Sequence, residues 1–146
     1  MLNYKRILFA TDLTDEIHNV DSKVKELAKL HSAELHVVHV VENLAAVAYQ
    51  YMGTVELQDQ LQEEATKEMG NICSEMGIPE QQRHIRTGHP KTEIIDLAEE
   101  INADLIVVGS HGRTGLSAFL GSTCNAVIHS ARCDVLILRA KQDKKD

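Results

Sequence analysis

The amino-acid sequence predicts a single α/β domain built on a doubly wound parallel sheet. Three observations carry that reading. Apolar runs at Ile7-Leu8-Phe9-Ala10, Leu105-Ile106-Val107-Val108 and Val135-Leu136-Ile137-Leu138 are short and apolar throughout, as strands buried on both faces are. Segments with helical spacing lie between such runs, so strands and helices alternate. A glycine-spaced stretch, Gly109-Ser110-His111-Gly112-Arg113-Thr114-Gly115, follows the fourth strand and leads to Gly121-Ser122-Thr123 at the opening of a helix.

The first strand ends in the polar pair Thr11-Asp12. Thr14 then suits an N-cap, with Asp15 and Glu16 in the first turn, where acids complement the helix dipole. Ile17, Val20, Val24, Leu27 and Ala28 share one helical face. The second strand covers residues 35–41 and carries His36 and His39, which three-residue spacing puts on opposite faces. Residues 42–55 show no clear period and read as a long loop, a kind of segment that often carries function. Leu57, Leu61, Ala65, Met69, Ile72 and Met76 mark a second helix, ended by Gly77 and Pro79.

The third strand, residues 82–87, is polar enough for a sheet edge. Gly88-His89-Pro90 is a turn, and Ile94, Leu97, Ala98 and Ile101 mark a third helix. A fourth helix is expected near residues 122–131, before the fifth strand. The last strand is apolar yet would lie at an edge, which predicts that something covers it; a homodimer paired through Val135 to Leu138 is the expected solution. The domain is expected over residues 1–140, with 141–146 a charged, disordered tail.

Composition narrows the function. At 146 residues the chain holds one domain with a full core. Its net charge of −7 argues against general nucleic-acid binding, which needs a basic face. It leaves room for a nucleotide, since a pocket can be locally positive on an acidic protein. The apolar runs are too short to span a bilayer, and the N-terminus lacks a small-residue cleavage site. Cys73, Cys124 and Cys133 are odd in number and lack CxxC spacing, which fits a reduced, cytoplasmic setting. Cys124 and Cys133 read as core residues.

The glycine stretch reads in two ways. It is either a phosphate cradle, with glycine backbone close to the ligand and helix-start amides aimed at it, or a plain βα turn. It is not a Walker loop, because GxxxxGK[ST] does not occur, and the first strand is not followed by GxGxxG. Asp12 either accepts a hydrogen bond from a ribose or adenine group or caps a helix. His111 stands in the loop where its backbone or ring would meet a phosphate, and Arg113 is either a charged donor to that phosphate or a solvated loop residue. Ser110 beside His111 lacks the GxSxG spacing of a hydrolase elbow. The other histidines are scattered, with no HExxH and no Cys/His cluster, so no metal site is expected. A receiver-domain reading of Asp12 fails, because the third strand ends in Arg86-Thr87-Gly88 without an acceptor aspartate.

Taken together, these residues resemble the universal stress protein family, over essentially the whole chain. The resemblance implies an adenine nucleotide alpha hydrolase-like fold, a five-stranded parallel sheet of order 3-2-1-4-5 with helices on both faces, and dimerisation through the last strand. The hallmark of the family's ATP-binding members is G-x2-G-x9-G-[ST]. Carried over by position, Asp12 matches the acid that helps hold adenosine, and Val40 and Val41 match the backbone that meets the adenine edge. Gly88 matches the pocket glycine after the third strand. Gly109 and Gly112 match the first motif glycines, and Gly121 and Ser122 the closing pair, with Thr123 beside them. One departure stands out: eight residues, Arg113 to Leu120, separate Gly112 from Gly121 where the motif has nine. The universal stress protein A type, which does not bind ATP, shares the shorter spacing but loses the glycines that this chain keeps.

The expectation is therefore a cytoplasmic stress-response protein that binds an adenine nucleotide, ATP with Mg²⁺ held through its phosphates, as a sensor or binding module. No residue is placed as an obvious general base, so at most slow ATP hydrolysis is expected. The alternative is a universal stress protein A type dimer that does not bind ATP and acts through protein partners. A nucleotidyl transferase or ATP pyrophosphatase of related fold would need an HxGH or SGGxDS signature, which Thr11-Asp12-Leu13-Thr14-Asp15 does not supply.

Overall fold

A computed structural model describes residues 3–13, 17–42, 54–110 and 124–139 of the chain. The strands are β1 (Arg6–Ala10), β2 (Glu34–Val41), β3 (Arg83–Thr87), β4 (Leu105–Ser110) and β5 (Asp134–Arg139). The helices are α1 (Ile17–His31), α2 (Thr54–Met76) and α3 (Pro90–Glu100); residues 124–130 are also helical and are called α4. All strand pairings are parallel, and the order is β3-β2-β1-β4-β5, as expected.

Alternation along the central strands sends successive side chains into two cores. Ile7, Phe9, Val37 and Val107 pack with Val20 and Val24 of α1 and Met69, Ile72 and Cys73 of α2. Leu8, Val38, Val40, Ile106 and Val108 pack on the other face with Ile94 and Leu97 of α3 and Cys124 and Val127 of α4. Phe9, Ile7, Leu8, Val37, Val38, Val107 and Val108 are among the most deeply buried side chains. This is why Ile7–Ala10 and Leu105–Val108 are apolar without interruption, and why only His36 and His39 break the apolar run Leu35–Val41. At roughly 25 cal/mol per Å² of apolar surface removed from water, these central strands supply the main driving force for the fold.

Three helices end in the same way. Beyond α1, the Ser32 N–H reaches Lys29 O (3.1 Å) and the Ala33 N–H reaches Ala28 O (2.8 Å). Gly77 and Ile78 repeat the pattern after α2, and Asn102 and Ala103 repeat it after α3. Each is a Schellman closure with a left-handed residue: Ser32 at φ 53°, Gly77 at φ 75° and Asn102 at φ 59°. The closures turn each chain back toward the next strand. Asp104 then staples the sheet's amino end, its carboxylate accepting from the N–H groups of Lys5 (2.9 Å) and Arg6 (3.1 Å).

The structure revises several boundaries. β4 does not stop at Gly109: it runs to Ser110, with Gly109 opposite Leu138 and Ser110 opposite Arg139. A glycine can continue a strand where the neighbouring ladder holds it, and β5 does so here. α2 begins at Thr54, inside the stretch read as loop. Gln82 belongs to a 3₁₀ turn, Glu80–Gln82, before β3. The proposed cap and first turn at Thr14, Asp15 and Glu16, the rest of the long loop, and the tail lie outside the described residues.

Candidate functional site

Register alone lines up the carboxyl ends of four strands. Ala10 pairs with both Val38 and Val108, and Val41 pairs with Thr87. Gly88, the Val40-Val41 pair, Asp12 and Gly109 therefore stand side by side along one rim of the sheet. The crevice between β1 and β4 is the topological switch point, where chains leave the sheet in opposite directions and ligands of open α/β sheets bind. Five of the expected site residues are thus brought together. His111, Gly112, Arg113, Gly121, Ser122 and Thr123 lie outside the described residues.

The Asp12 corner is built by Thr11. Thr11 is buried. Its N–H donates to Val38 O (2.9 Å), its Oγ1 accepts from the Leu13 N–H (3.0 Å), and its carbonyl accepts from His39 Nδ1 (2.8 Å). Leu13 has a left-handed φ of 61°, so Asp12 rides on a tight turn. A carbonyl can only accept, so the His39 hydrogen sits on Nδ1. Burial lowers the His39 pKa, opposed by the Thr11 carbonyl and the nearby Asp12 charge. Burial thus favours the neutral imidazole.

The two visible site glycines differ in kind. Gly88 has φ 147°, and a Cβ there would lie 2.9 Å from Glu93 Oε2. The backbone calls for glycine, while the packing asks only that the flexible Glu93 side chain shift. Its N–H donates to Val41 O (3.0 Å), which ties the end of β3 to β2. At Gly109 a Cβ would meet Val20 Cγ1 at 3.4 Å, an ordinary contact. No described neighbour of Gly109 requires a glycine. The Cys124 thiol donates to Gly109 O at 3.9 Å, which holds the start of α4 beside Gly109. Burial raises the Cys124 pKa, which keeps it a thiol.

Sequence reading missed Thr11, His39, Glu93 and Cys124 as parts of this rim. Strand parity does put His39 on the face opposite His36, but its partner depends on the β1–β2 register. Among the described residues no three ligating side chains converge on a cation position, and no helix is long and apolar enough to cross a membrane.

Fold and rim together define a doubly wound domain with its topological switch point between β1 and β4. Comparison with known proteins makes the assignment specific. The universal stress protein family matches residues 3–139, and the chain belongs to that family. It is 42% identical over 144 residues to universal stress protein A homolog 2 of Coxiella burnetii, covering 97% of this chain and 99% of the relative. The structure of the hypothetical protein MJ0577 superposes with a TM-score of 0.77 at 30% identity, over 97% of this chain and 100% of that one. A universal stress protein solved in complex with cAMP has a TM-score of 0.62 at 23% identity, over 96% of this chain and 100% of its own.

Proposed function

We propose that this protein binds an adenine nucleotide in the β1–β4 crevice, with ATP as the ligand and Mg²⁺ carried on its phosphates. Asp12 holds the adenosine, the backbone of Val40 and Val41 meets the adenine edge, and Gly88 lines the pocket. Gly109, Gly112, Gly121, Ser122 and Thr123 receive the phosphates, with His111 and Arg113 beside them. The observation that carries the reading is Gly109: neither a left-handed backbone nor any described side chain demands a glycine there, and it stands beside Asp12 at the switch point. Close approach of a phosphate explains it. The fold itself accommodates an adenine nucleotide in the relative solved with cAMP, an analogy at the level of fold.

On this reading the protein is a cytoplasmic stress-response module that senses or holds nucleotide, with ATP hydrolysis slow at most. The domain is residues 1–140, followed by a charged tail. It works as a homodimer through β5, whose outer edge has no partner strand among the described residues and whose Ile137 is 40% exposed. The eight-residue spacing between Gly112 and Gly121 favours a second reading, a dimer without ATP that acts through protein partners. Equilibrium dialysis with labelled ATP separates the two. The first reading expects Asp12→Ala to weaken binding by about 1–3 kcal/mol and Gly112→Val to abolish it. Equal binding by wild type and Gly112→Val would refute the glycine-loop site.

A further inference from the structure

We propose that His39 is a positioning residue for Asp12, acting through the Thr11 carbonyl. The inference rests on the nucleotide reading for its function and on the β1–β2 contact for its geometry. The Thr11 carbonyl and the Asp12 N–H belong to one planar peptide group. The His39 Nδ1–H holds that carbonyl at 2.8 Å and so fixes the plane from which the Asp12 side chain departs. The other restraints on Thr11 are local or part of the sheet: its N–H to Val38 O, and its hydroxyl to the Leu13 N–H. Among the described residues, His39 alone adds a side-chain grip from the neighbouring strand on this carbonyl. It sits immediately before Val40 and Val41 in β2, so one imidazole couples the strand end proposed to meet the adenine to the acid proposed to hold the adenosine. The left-handed Leu13 directly after Asp12 makes the turn sensitive to that grip, because a rotated peptide plane would leave Leu13 without its hydroxyl partner.

The test compares three variants. His39→Leu keeps bulk and removes the donor. His39→Asn keeps an N–H donor near the position of Nδ1, and His39→Gln moves it one bond further out. ATP affinity should fall about tenfold in His39→Leu, the loss of one hydrogen bond, and stay within about threefold of wild type in His39→Asn. Combining His39→Leu with Asp12→Ala should bind no more weakly than Asp12→Ala alone. Losses that multiply in the double variant, or equal losses in the Asn and Leu variants, would overturn the proposal. Amide hydrogen exchange by NMR decides the geometry without any ligand. Exchange at Asp12 and Leu13 should rise about tenfold in His39→Leu and less in His39→Asn, with β4 amides unchanged. Should His39→Leu fail to fold, His39→Gln against His39→Asn gives the same contrast. Wild type that does not bind ATP would refute the nucleotide reading while the exchange data still decide the role of His39. Unchanged exchange in His39→Leu would refute the positioning role whatever ATP does.

Discussion

His36 Nδ1 on β2 lies 2.9 Å from His84 Nε2 on β3. The ring centroids are 5.2 Å apart and the planes within 17°, so the imidazoles meet end to end, with one hydrogen between the facing nitrogens. The far nitrogen of His36, Nε2, is buried without a hydrogen-bond partner among the described residues. Glu34 Oε2 stands 3.4 Å from it, close enough to attract charge. Burial is the first cause that lowers both pKa values, opposed at His36 by Glu34 and at His84 by Glu100, while Arg6 and Arg86 push them further down.

The sign of the pH effect follows. An unfolded histidine titrates near 6.5, and His36, His39 and His84 all lie lower in the folded chain. The unfolded chain therefore takes up more protons below about pH 6.5. The stability these groups contribute is present above that pH and is lost as pH falls through the folded values. Urea midpoints should be level from about pH 7.5 to 6.5 and decline toward pH 5.5. A His36→Leu/His84→Leu variant should decline less steeply. An equal slope in both proteins would show that the pair is not the source.

Gly88 and Gly109 predict opposite outcomes for the same substitution. Gly88→Ala meets both a left-handed φ and the Glu93 carboxylate, and should cost about 1–3 kcal/mol. Gly109→Ala meets only an ordinary contact with Val20 and should change stability by less than about 1 kcal/mol. Chemical unfolding of the two variants checks this. A large loss at Gly109 would mean that its glycine serves packing, which would remove the main support for a phosphate beside it.

The β5 edge predicts an assembly. Ile137→Asp places a charge on a half-exposed strand position and should convert a dimer into a monomer with its fold retained. Light scattering and circular dichroism together read this. A wild type that is monomeric at micromolar concentration would refute the dimer.

Much of the fold was legible because burial on both faces leaves an unmistakable pattern: Ile7–Ala10 and Leu105–Val108 have no polar residue to spare. The polar run Arg83–Thr87 marked an edge for the same reason, since Arg86 reaches out to Glu100 (2.7 Å) and Glu93 (3.7 Å) on α3. The extension of β4 through Gly109 was not legible, because glycine reads as a breaker until a neighbouring ladder is known. At the rim, Asp12 and Gly109 could be placed from strand ends, and Val40, Val41 and Gly88 only through the family resemblance. The His39 grip on Thr11 and the His36–His84 contact could not. Each joins residues of different strands, and which residue faces which is a property of register rather than of local sequence.

The crevice beside Asp12 and Gly109 is proposed to take ATP. Calorimetry on the purified, nucleotide-stripped protein, with and without Mg²⁺, tests it most directly. Binding in the low micromolar range is expected, a free energy of roughly −7 to −8 kcal/mol. No heat of binding at millimolar ATP would contradict it, and the glycines after β4 would then be structural.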